Sequence, residues 1–212
     1  MKDQVDYLTV LDHHKTAEEN LEGLDFCEFD MNRSGATMAW DHFFDPENRP
    51  LLVEYVQDRD LWLWDVPHSK PINDWIQSFD FDLNTWEFMC EWLEHDFQAV
   101  LREAQAIQRF KKRQVGAICD GARSIHICGH KVPAVNSCIF QSDVGHTLCQ
   151  GHPFAAIWFK KEDQYIWSLR STDNGEDVRK IAEAMGGGGH RNAAGFRTNY
   201  WSKDIKPTEE KE

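Results

Sequence analysis

Residues 7–14 read YLTVLDHH, a short apolar run that leads directly into an aspartate and two histidines. The run predicts a strand over residues 5–11 that is buried on both faces of a parallel sheet. Ligands bind at the carboxyl ends of such strands, because the strand fixes the backbone while the following loop exposes its side chains. Asp12, His13 and His14 are therefore candidate functional residues. A polar turn that exposes two histidines is the plain alternative.

A second candidate is the pair of carboxylates in YVQDRDLW, residues 55–62. Asp58 and Asp60 lie within an otherwise apolar stretch, where a buried carboxylate needs a partner. A divalent cation is one such partner, since carboxylate oxygens are ligands for hard cations. The alternative is a loop at a helix end with solvated acids.

Four consecutive glycines open the segment GGGGHRNAAGF, residues 186–196. Glycines are tolerated where main-chain N–H groups must approach a ligand closely, and His190 and Arg191 add side-chain donors for an anion. The segment therefore predicts a loop that holds a phosphate or nucleotide, with a flexible linker as the alternative. Arg170, at the end of a predicted strand, could clamp a phosphate with two parallel hydrogen bonds.

The alternation of His126, Cys128 and His130 along one predicted strand puts three possible zinc ligands on one face. No second pair of ligands has a matching spacing, and a buried Cys128 that packs in the core is the simpler interpretation.

Composition indicates a folded protein with two modules. The 212 residues include nine Trp and thirteen Phe, which need a core. The net charge is −17 over residues 1–100 and +4 over residues 101–212, so the acidic part suits cations and the basic part suits phosphates. No apolar run approaches ~18 residues, so no membrane span is expected. The six cysteines show no CxxC spacing and the N-terminus lacks a secretory signal, which favours free thiols in the cytoplasm.

Hydrophobic periodicity predicts strands followed by helices in both halves. Ser34 is the expected N-cap of a helix over residues 35–44, and Asn84 that of a long helix over residues 85–113. Residues 73–82 are expected to be irregular, and residues 203–212 disordered. The predicted division is a sheet domain, a connecting helix, a smaller α+β domain and a charged tail, over residues 1–104, 105–117, 118–200 and 201–212.

Four motifs, taken together and in chain order, resemble the DHH phosphoesterase superfamily with its C-terminal DHH-associated domain. They are VLDHHKTAEENL, YVQDRDLW, WSLRS and GGGGHRNAAGF. The resemblance covers residues 5–198. It implies an α/β fold in which a parallel-sheet DHH domain, holding two manganese ions, is joined by a long helix to a smaller α+β substrate-binding domain. It also implies a hydrolase of phosphodiester bonds, most like the nano-RNase or oligoribonuclease branch, with exonuclease activity on short oligonucleotides, nucleotides or cyclic dinucleotides.

The resemblance also implies residue roles. His13 would be a metal ligand with Asp12 as its orienting neighbour, and His14 would contact the scissile phosphate. Asp58 would be the metal-bound carboxylate, with Asp60 the weaker candidate. The substrate phosphate would be held by the associated domain, through Arg170, Gly188, Gly189, His190 and Arg191. The two ions would activate a water and stabilise the leaving oxygen.

One departure from the family pattern is large. The family's first two metal-binding motifs precede LDHH, and neither is present in this sequence. We therefore expect an N-terminally truncated DHH domain that binds manganese weakly and has little or no activity. A catalytically silent nucleotide-binding or nucleic-acid-binding module is the alternative function. The missing strands would leave an open sheet edge, through which the chain could associate with a second copy.

Overall fold

A computed structural model of the chain describes residues 5–205, and it confirms the α/β class. The chain divides into two compact units, one up to Phe110 and one from Lys111 onward. The described residues include no helix long and apolar enough to cross a membrane.

The first unit is mostly helical and carries a small parallel sheet. Its two strands pair in register from Val10 with Cys27 to Asp12 with Phe29. In chain order its elements are β1 (Val10–Asp12), α1 (Lys15–Asn20), β2 (Cys27–Phe29), α2 (Gly35–Phe43), a 3-10 turn (Pro46–Asn48), α3 (Leu51–Asp60), α4 (Ser69–Ile76), α5 (Leu83–His95) and α6 (Phe97–Cys119), which continues into the second unit.

The core of this unit lies between helices α3 to α6. Trp75 and Ile72 of α4 are completely buried and pack with residues of the three other helices. The buried members of this cluster are Leu52, Tyr55, Ile72, Trp75, Ile76, Met89, Leu93, Val100, Leu101 and Ala104. These helices hold the end of α3 in place, and α3 carries both candidate aspartates.

Helix α2 begins as predicted, with Ser34 as its N-cap. The Ser34 hydroxyl accepts a hydrogen bond from the backbone N–H of Thr37 at 3.2 Å, and Ser34 is fully buried. We expect Ser34→Ala to lower the free energy of unfolding by about 1 kcal/mol, while Ser34→Gly costs only a few tenths. Urea denaturation measures both, and an equal cost for the two variants would contradict the capping argument.

Two helix predictions in this unit are wrong. Residues 73–76, expected to be irregular, belong to α4, whereas residues 77–82 form neither helix nor strand, as expected. Pro71 is compatible with the start of α4, because a proline in the first turn removes no intrahelical bond. The predicted long helix is two helices: Asp82 rather than Asn84 caps α5, and Asp96 starts α6 by accepting from the backbone N–H of Ala99 at 3.1 Å. The basic residues at the predicted helix end therefore lie inside α6, which continues to Cys119.

The second unit is a seven-stranded sheet with helices on both faces. The strand order is β7-β8-β6-β5-β4-β3-β9, in which the pairs β4–β5 and β3–β9 are parallel and the other pairs antiparallel. The elements are β3 (Arg123–Ile127), β4 (His130–Asn136), α7 (Gln141–Leu148), β5 (Ala155–Lys161), β6 (Gln164–Arg170), α8 (Val178–Ala184), β7 (Gly188–His190), β8 (Ala193–Thr198) and β9 (Asp204–Ile205).

Alternate residues of the strands face two separate cores. Ala156 packs in a cluster that includes Ile181 of α8, whereas the next residue, Ile157, packs in one that includes Val115 of α6 and Val144 of α7. This alternation is the expected pattern for a sheet covered on both faces. The strand register therefore shows which face of the sheet each side chain of β6 and β8 points to.

The structure of this unit differs from three further expectations. Gly188–His190 forms strand β7 instead of a loop, and residues 204–205 form β9 where disorder was expected, while residues 206–212 lie outside the described part. The zinc hypothesis also fails for the described residues. Cys128 occupies a turn with a φ of 48° and packs against the core, while His126 is exposed.

Candidate functional site

The Asp12 carboxylate organises the loop that follows β1. Its Oδ1 accepts the backbone N–H of His13 at 2.7 Å and that of His14 at 3.1 Å, and it lies 2.7 Å from Nδ1 of His14. Burial raises the pKa of Asp12, but the hydrogen bonds from the two histidines outweigh it and hold the pKa below its usual value. Since a carboxylate only accepts, His14 carries its proton on Nδ1. Asp12 therefore orients the His14 ring and fixes the backbone of His13, while its implied role as the neighbour that orients the His13 ring stays a prediction.

His13 faces the end of helix α3. Its Nε2 lies 3.5 Å from Oδ2 of Asp60, the last residue of that helix. The side chain is 14% exposed, and its Nδ1 is buried with no hydrogen-bond partner within residues 5–205. The His13 and His14 rings are 4.2 Å apart between centroids. His13 thus lies between the His14 ring, which follows β1, and the Asp60 carboxylate, which ends α3.

Asp58 has a different environment. It is 2% exposed, and its Oδ1 accepts the backbone N–H groups of Asp65 at 2.8 Å and Val66 at 3.2 Å. Its Oδ2 is buried and has no hydrogen-bond partner in the described part of the chain. Asp58 therefore fixes the loop after α3, and its role as a metal ligand stays a prediction. The structure brings Asp60, ranked second from the sequence, close to His13.

Helix geometry explains why only one of these aspartates can face His13. Residues two apart on an α-helix differ by about 200° around its axis, because each residue turns by ~100°. The apolar pattern of LLVEYVQD predicts a helix over residues 50–58, which would leave Asp60 in the loop after it. With α3 extended to Asp60, the two carboxylates point to different sides.

The cluster at the end of β1 has a donor set that fits a divalent metal. Asp12, His13 and His14 each offer a ligand atom, and these atoms lie within 4.8 Å of one another. Carboxylates suit manganese and imidazoles suit most transition metals. Within residues 5–205 this is the one such group of three, so the described residues fit one ion better than two.

The first two glycines of the run end helix α8. Gly186 has a φ of 75°, and its N–H bonds to the Glu183 carbonyl at 2.9 Å. The N–H of Gly187 bonds to the Ala182 carbonyl at 2.8 Å, which completes the paired hydrogen bonds of a Schellman motif. A Cβ on Gly187 would lie only 2.1 Å from the Gly195 carbonyl oxygen. These two glycines are thus required by the helix end and by the neighbouring strand.

The next two glycines differ from each other. Gly189 has a φ of 140°, and a Cβ there would meet the Ala193 carbonyl oxygen at 2.6 Å. Gly188 pairs with Gly195 in the β7–β8 ladder, yet a Cβ on Gly188 would meet nothing within 4 Å. Gly188 is therefore the position in the run where the fold itself leaves open space.

Arg191 and Asn192 form the turn between β7 and β8. The Arg191 guanidinium donates to the carbonyls of Asp173 at 3.1 Å and Gly175 at 3.4 Å, and to Asn192 Oδ1 at 3.0 Å. The Arg191 carbonyl in turn accepts the N–H of Val178 at 2.9 Å. These bonds fix the turn against the start of α8. Whether Gly188, Gly189, His190 and Arg191 hold a phosphate stays a prediction.

Arg170 is a cation without a carboxylate partner among the described residues. Its guanidinium donates to the Leu169 carbonyl at 2.8 Å and to the Ser142 hydroxyl at 3.0 Å, and burial lowers its pKa. Gly145 leaves room for it, since a Cβ there would lie 2.5 Å from Arg170 Cγ. Sequence analysis did not find Ser142 and Gly145 as its neighbours, because only the packing of α7 on the sheet brings them there. A desolvated guanidinium without an acid suits an anionic ligand.

No family model matches the chain, but two curated proteins do. The chain is 34% identical over 207 residues to an uncharacterized protein of Acanthamoeba polyphaga mimivirus, with 88% of this chain and 47% of that protein covered. It is 27% identical over 215 residues to oligoribonuclease NrnB of Bacillus subtilis, with 88% and 51% covered. The chain thus spans about half the length of the curated relatives it matches.

Among solved structures, the chain is similar to PggH, a pGpG-specific phosphodiesterase from Vibrio cholerae. The TM-score is 0.51 at 12% identity, with 89% of this chain and 73% of that chain covered, which shows a shared fold. The distant sequence relation to NrnB and the fold shared with PggH together support a DHH-like superfamily for this chain.

Proposed function

We propose that the chain carries the site of a manganese-dependent phosphodiesterase that acts on short oligonucleotides. The observation that carries this proposal is the group of ligand atoms from Asp12, His13 and His14 after β1, with the Asp60 carboxylate 3.5 Å from His13. The relation to an oligoribonuclease supports the substrate class.

Each residue of this cluster has a proposed role. His13 and Asp60 hold the metal ion, because the Asp12 Oδ1 and the His14 Nδ1 of the group after β1 are engaged with each other. The 3.5 Å between the ligand atoms of His13 and Asp60 suits a shared cation better than a direct hydrogen bond. His14, whose Nδ1 is held by Asp12, faces a phosphate oxygen of the substrate with Nε2 and donates to it when both ring nitrogens carry protons. Asp58 positions Asp60 by fixing the loop that follows α3. When bound, manganese provides an activated water and stabilises charge on the leaving oxygen.

The second unit supplies the groups that bind the substrate phosphate in this proposal. Gly188 leaves space for an anion beside the β7 backbone, and His190 and Arg191 lie at the end of the same strand. Arg170 adds a cation that no carboxylate of the described residues neutralises. The positive charge of this half of the chain favours a nucleotide over a neutral ligand.

The test is hydrolysis of a 5′-phosphorylated diadenylate, pApA, by the purified chain. We expect AMP to form with manganese and not with EDTA, and chromatography measures it. The rate should be low, since the described residues bring one group of three ligands together while two-metal catalysis needs more. If pApA binds but no AMP forms, the chain is the silent nucleotide-binding module instead. If pApA neither binds nor reacts, both functions are wrong.

A further inference from the structure

We propose that a cleft in the second unit, which we call the aromatic cleft, binds a base and the adjoining phosphates of a single-stranded RNA. This inference rests on the proposed function for its class of ligand, and adds a site remote from the glycine run. The cleft has a volume of about 440 Å³, within the usual range for ligand sites. Its chemistry is set by three rings and two cations: Trp158, Tyr165, Trp201, Arg123 and Lys203.

The rings form a connected set with Trp158 at its centre. The Trp158 ring centroid lies 5.6 Å from that of Trp201 and 5.8 Å from that of Tyr165. Trp158 is half-buried against the core, while Trp201 is 39% exposed. A cluster of rings that is anchored on one side and open on the other gives a nucleobase a surface to stack on, and such stacking accepts any base.

The charges around the rings suit a phosphate backbone. Arg123 and Lys203 line the cleft, are exposed, and form no ion pair within residues 5–205. No acidic residue is among the described residues that line it, although the chain has a net charge of −13. Asn136 and Ser124 add polar groups at the rim. Aromatic rings combined with a local positive charge are the usual means of binding single-stranded nucleic acid.

The aromatic cleft lies at the opposite end of β6 from the β7–β8 turn, whereas Gly188 lies level with Ser168 in the middle of that strand. Tyr165 pairs with Thr198 near the start of β6, whereas Arg170 at its other end pairs with Ala193, next to the β7–β8 turn. Five residues of strand separate the two ends by about 17 Å. This distance corresponds to roughly five nucleotides of a stacked strand at ~3.4 Å each. A dinucleotide therefore cannot reach both Tyr165 and Arg170, but a longer strand can.

The experiment compares heptauridylate with pApA by calorimetric titration of the full chain in EDTA, which prevents metal-dependent hydrolysis. The variants are Trp201→Ala and the charge reversal of both Arg123→Glu and Lys203→Glu, and Trp158 is left intact because it packs in the core. The matched control is Arg197→Glu, since this exposed arginine lies on β8 and alternates with Phe196, which faces the core that Trp158 packs against.

We expect the cleft variants to bind heptauridylate at least fivefold more weakly, as lost base stacking and phosphate contacts require, and the control to bind it normally. The charge-reversed variant should also show a smaller dependence of affinity on salt. Equal heptauridylate affinity in cleft and control variants, or none in the wild type, would overturn the proposal. So would a dimer that dissociates on Trp201→Ala, which would assign the cleft to a second copy.

These outcomes separate the cleft from the phosphodiesterase site. If the cleft variants lose heptauridylate affinity while the wild-type chain fails to hydrolyse pApA, the cleft binds RNA and the proposed activity is wrong. If the wild type hydrolyses pApA while the cleft variants bind heptauridylate normally, the activity stands and the cleft proposal is wrong.

Discussion

Asp60→Asn will lower the affinity of the chain for manganese by at least tenfold. Asp60 Oδ2 is the carboxylate oxygen that the structure places 3.5 Å from His13 Nε2, so its charge is lost where the ion is expected. Losing even an outer partner of a metal ligand costs roughly 10- to 100-fold in affinity, and losing a ligand costs no less. Calorimetric titration with manganese measures the change, and His13→Ala should show a similar loss.

The matched comparison is Asp58→Asn, which changes the same group two residues earlier. Its carboxylate accepts from the backbone N–H groups of Asp65 and Val66, and its second oxygen is buried without a described partner. An amide there places an unsatisfied donor in the interior, so thermal stability should fall while manganese affinity falls less than in Asp60→Asn. A larger loss of manganese affinity in Asp58→Asn would show that Asp58 is the ligand, as the resemblance implied.

Local capping chemistry was predictable from the sequence where one residue decides it. Ser34 was assigned as the N-cap of α2, and the structure shows that bond. The break between α5 and α6 was missed because the apolar spacing continues across Asp96, and spacing alone does not detect a cap. The same limitation placed the start of α5 at Asn84, although Asp82 makes the capping bond.

Contacts between distant segments were less predictable. The Asp-His-His motif located the candidate site in the sequence. The approach of Asp60 to His13, however, depends on where α3 ends relative to β1. Nothing in the sequence pattern indicated the aromatic cleft. Its rings, Trp158, Tyr165 and Trp201, come together only through strand pairing and the return of the chain beside β3. Periodicity predicts which side of its own strand a residue faces, and not which residues it meets there.

The glycine run combines glycines that the fold requires with one that a ligand could require. Its flexibility suggested either a ligand loop or a linker, yet Gly186 and Gly187 complete the end of α8 and Gly189 adopts a φ of 140°. The fold requires glycine at each of these three positions. It does not require glycine at Gly188, since nothing lies near the place where a side chain would be. The ligand hypothesis therefore depends on Gly188 and can be separated from the structural requirement by comparing neighbouring substitutions.

Gly187→Ala will lower the free energy of unfolding by at least about 3 kcal/mol, the upper part of the usual cost of overpacking. The new Cβ would lie 2.1 Å from the Gly195 carbonyl oxygen and 2.8 Å from Phe196 Cα, so β7 must move away from β8. Gly188→Ala is the matched variant: it meets nothing within 4 Å, and its stability should change by less than about 1 kcal/mol.

Binding of pApA to Gly187→Ala and Gly188→Ala distinguishes a role of the glycine run in folding from a role in phosphate recognition. If a phosphate approaches the backbone at Gly188, a methyl group there obstructs it, and Gly188→Ala should bind pApA at least fivefold more weakly while it stays folded. Thermal unfolding and calorimetric titration in EDTA measure the two properties on the same samples. Wild-type affinity in Gly188→Ala would mean that the run serves only the end of α8 and the β7–β8 pairing, and that the phosphate site must be sought at Arg170.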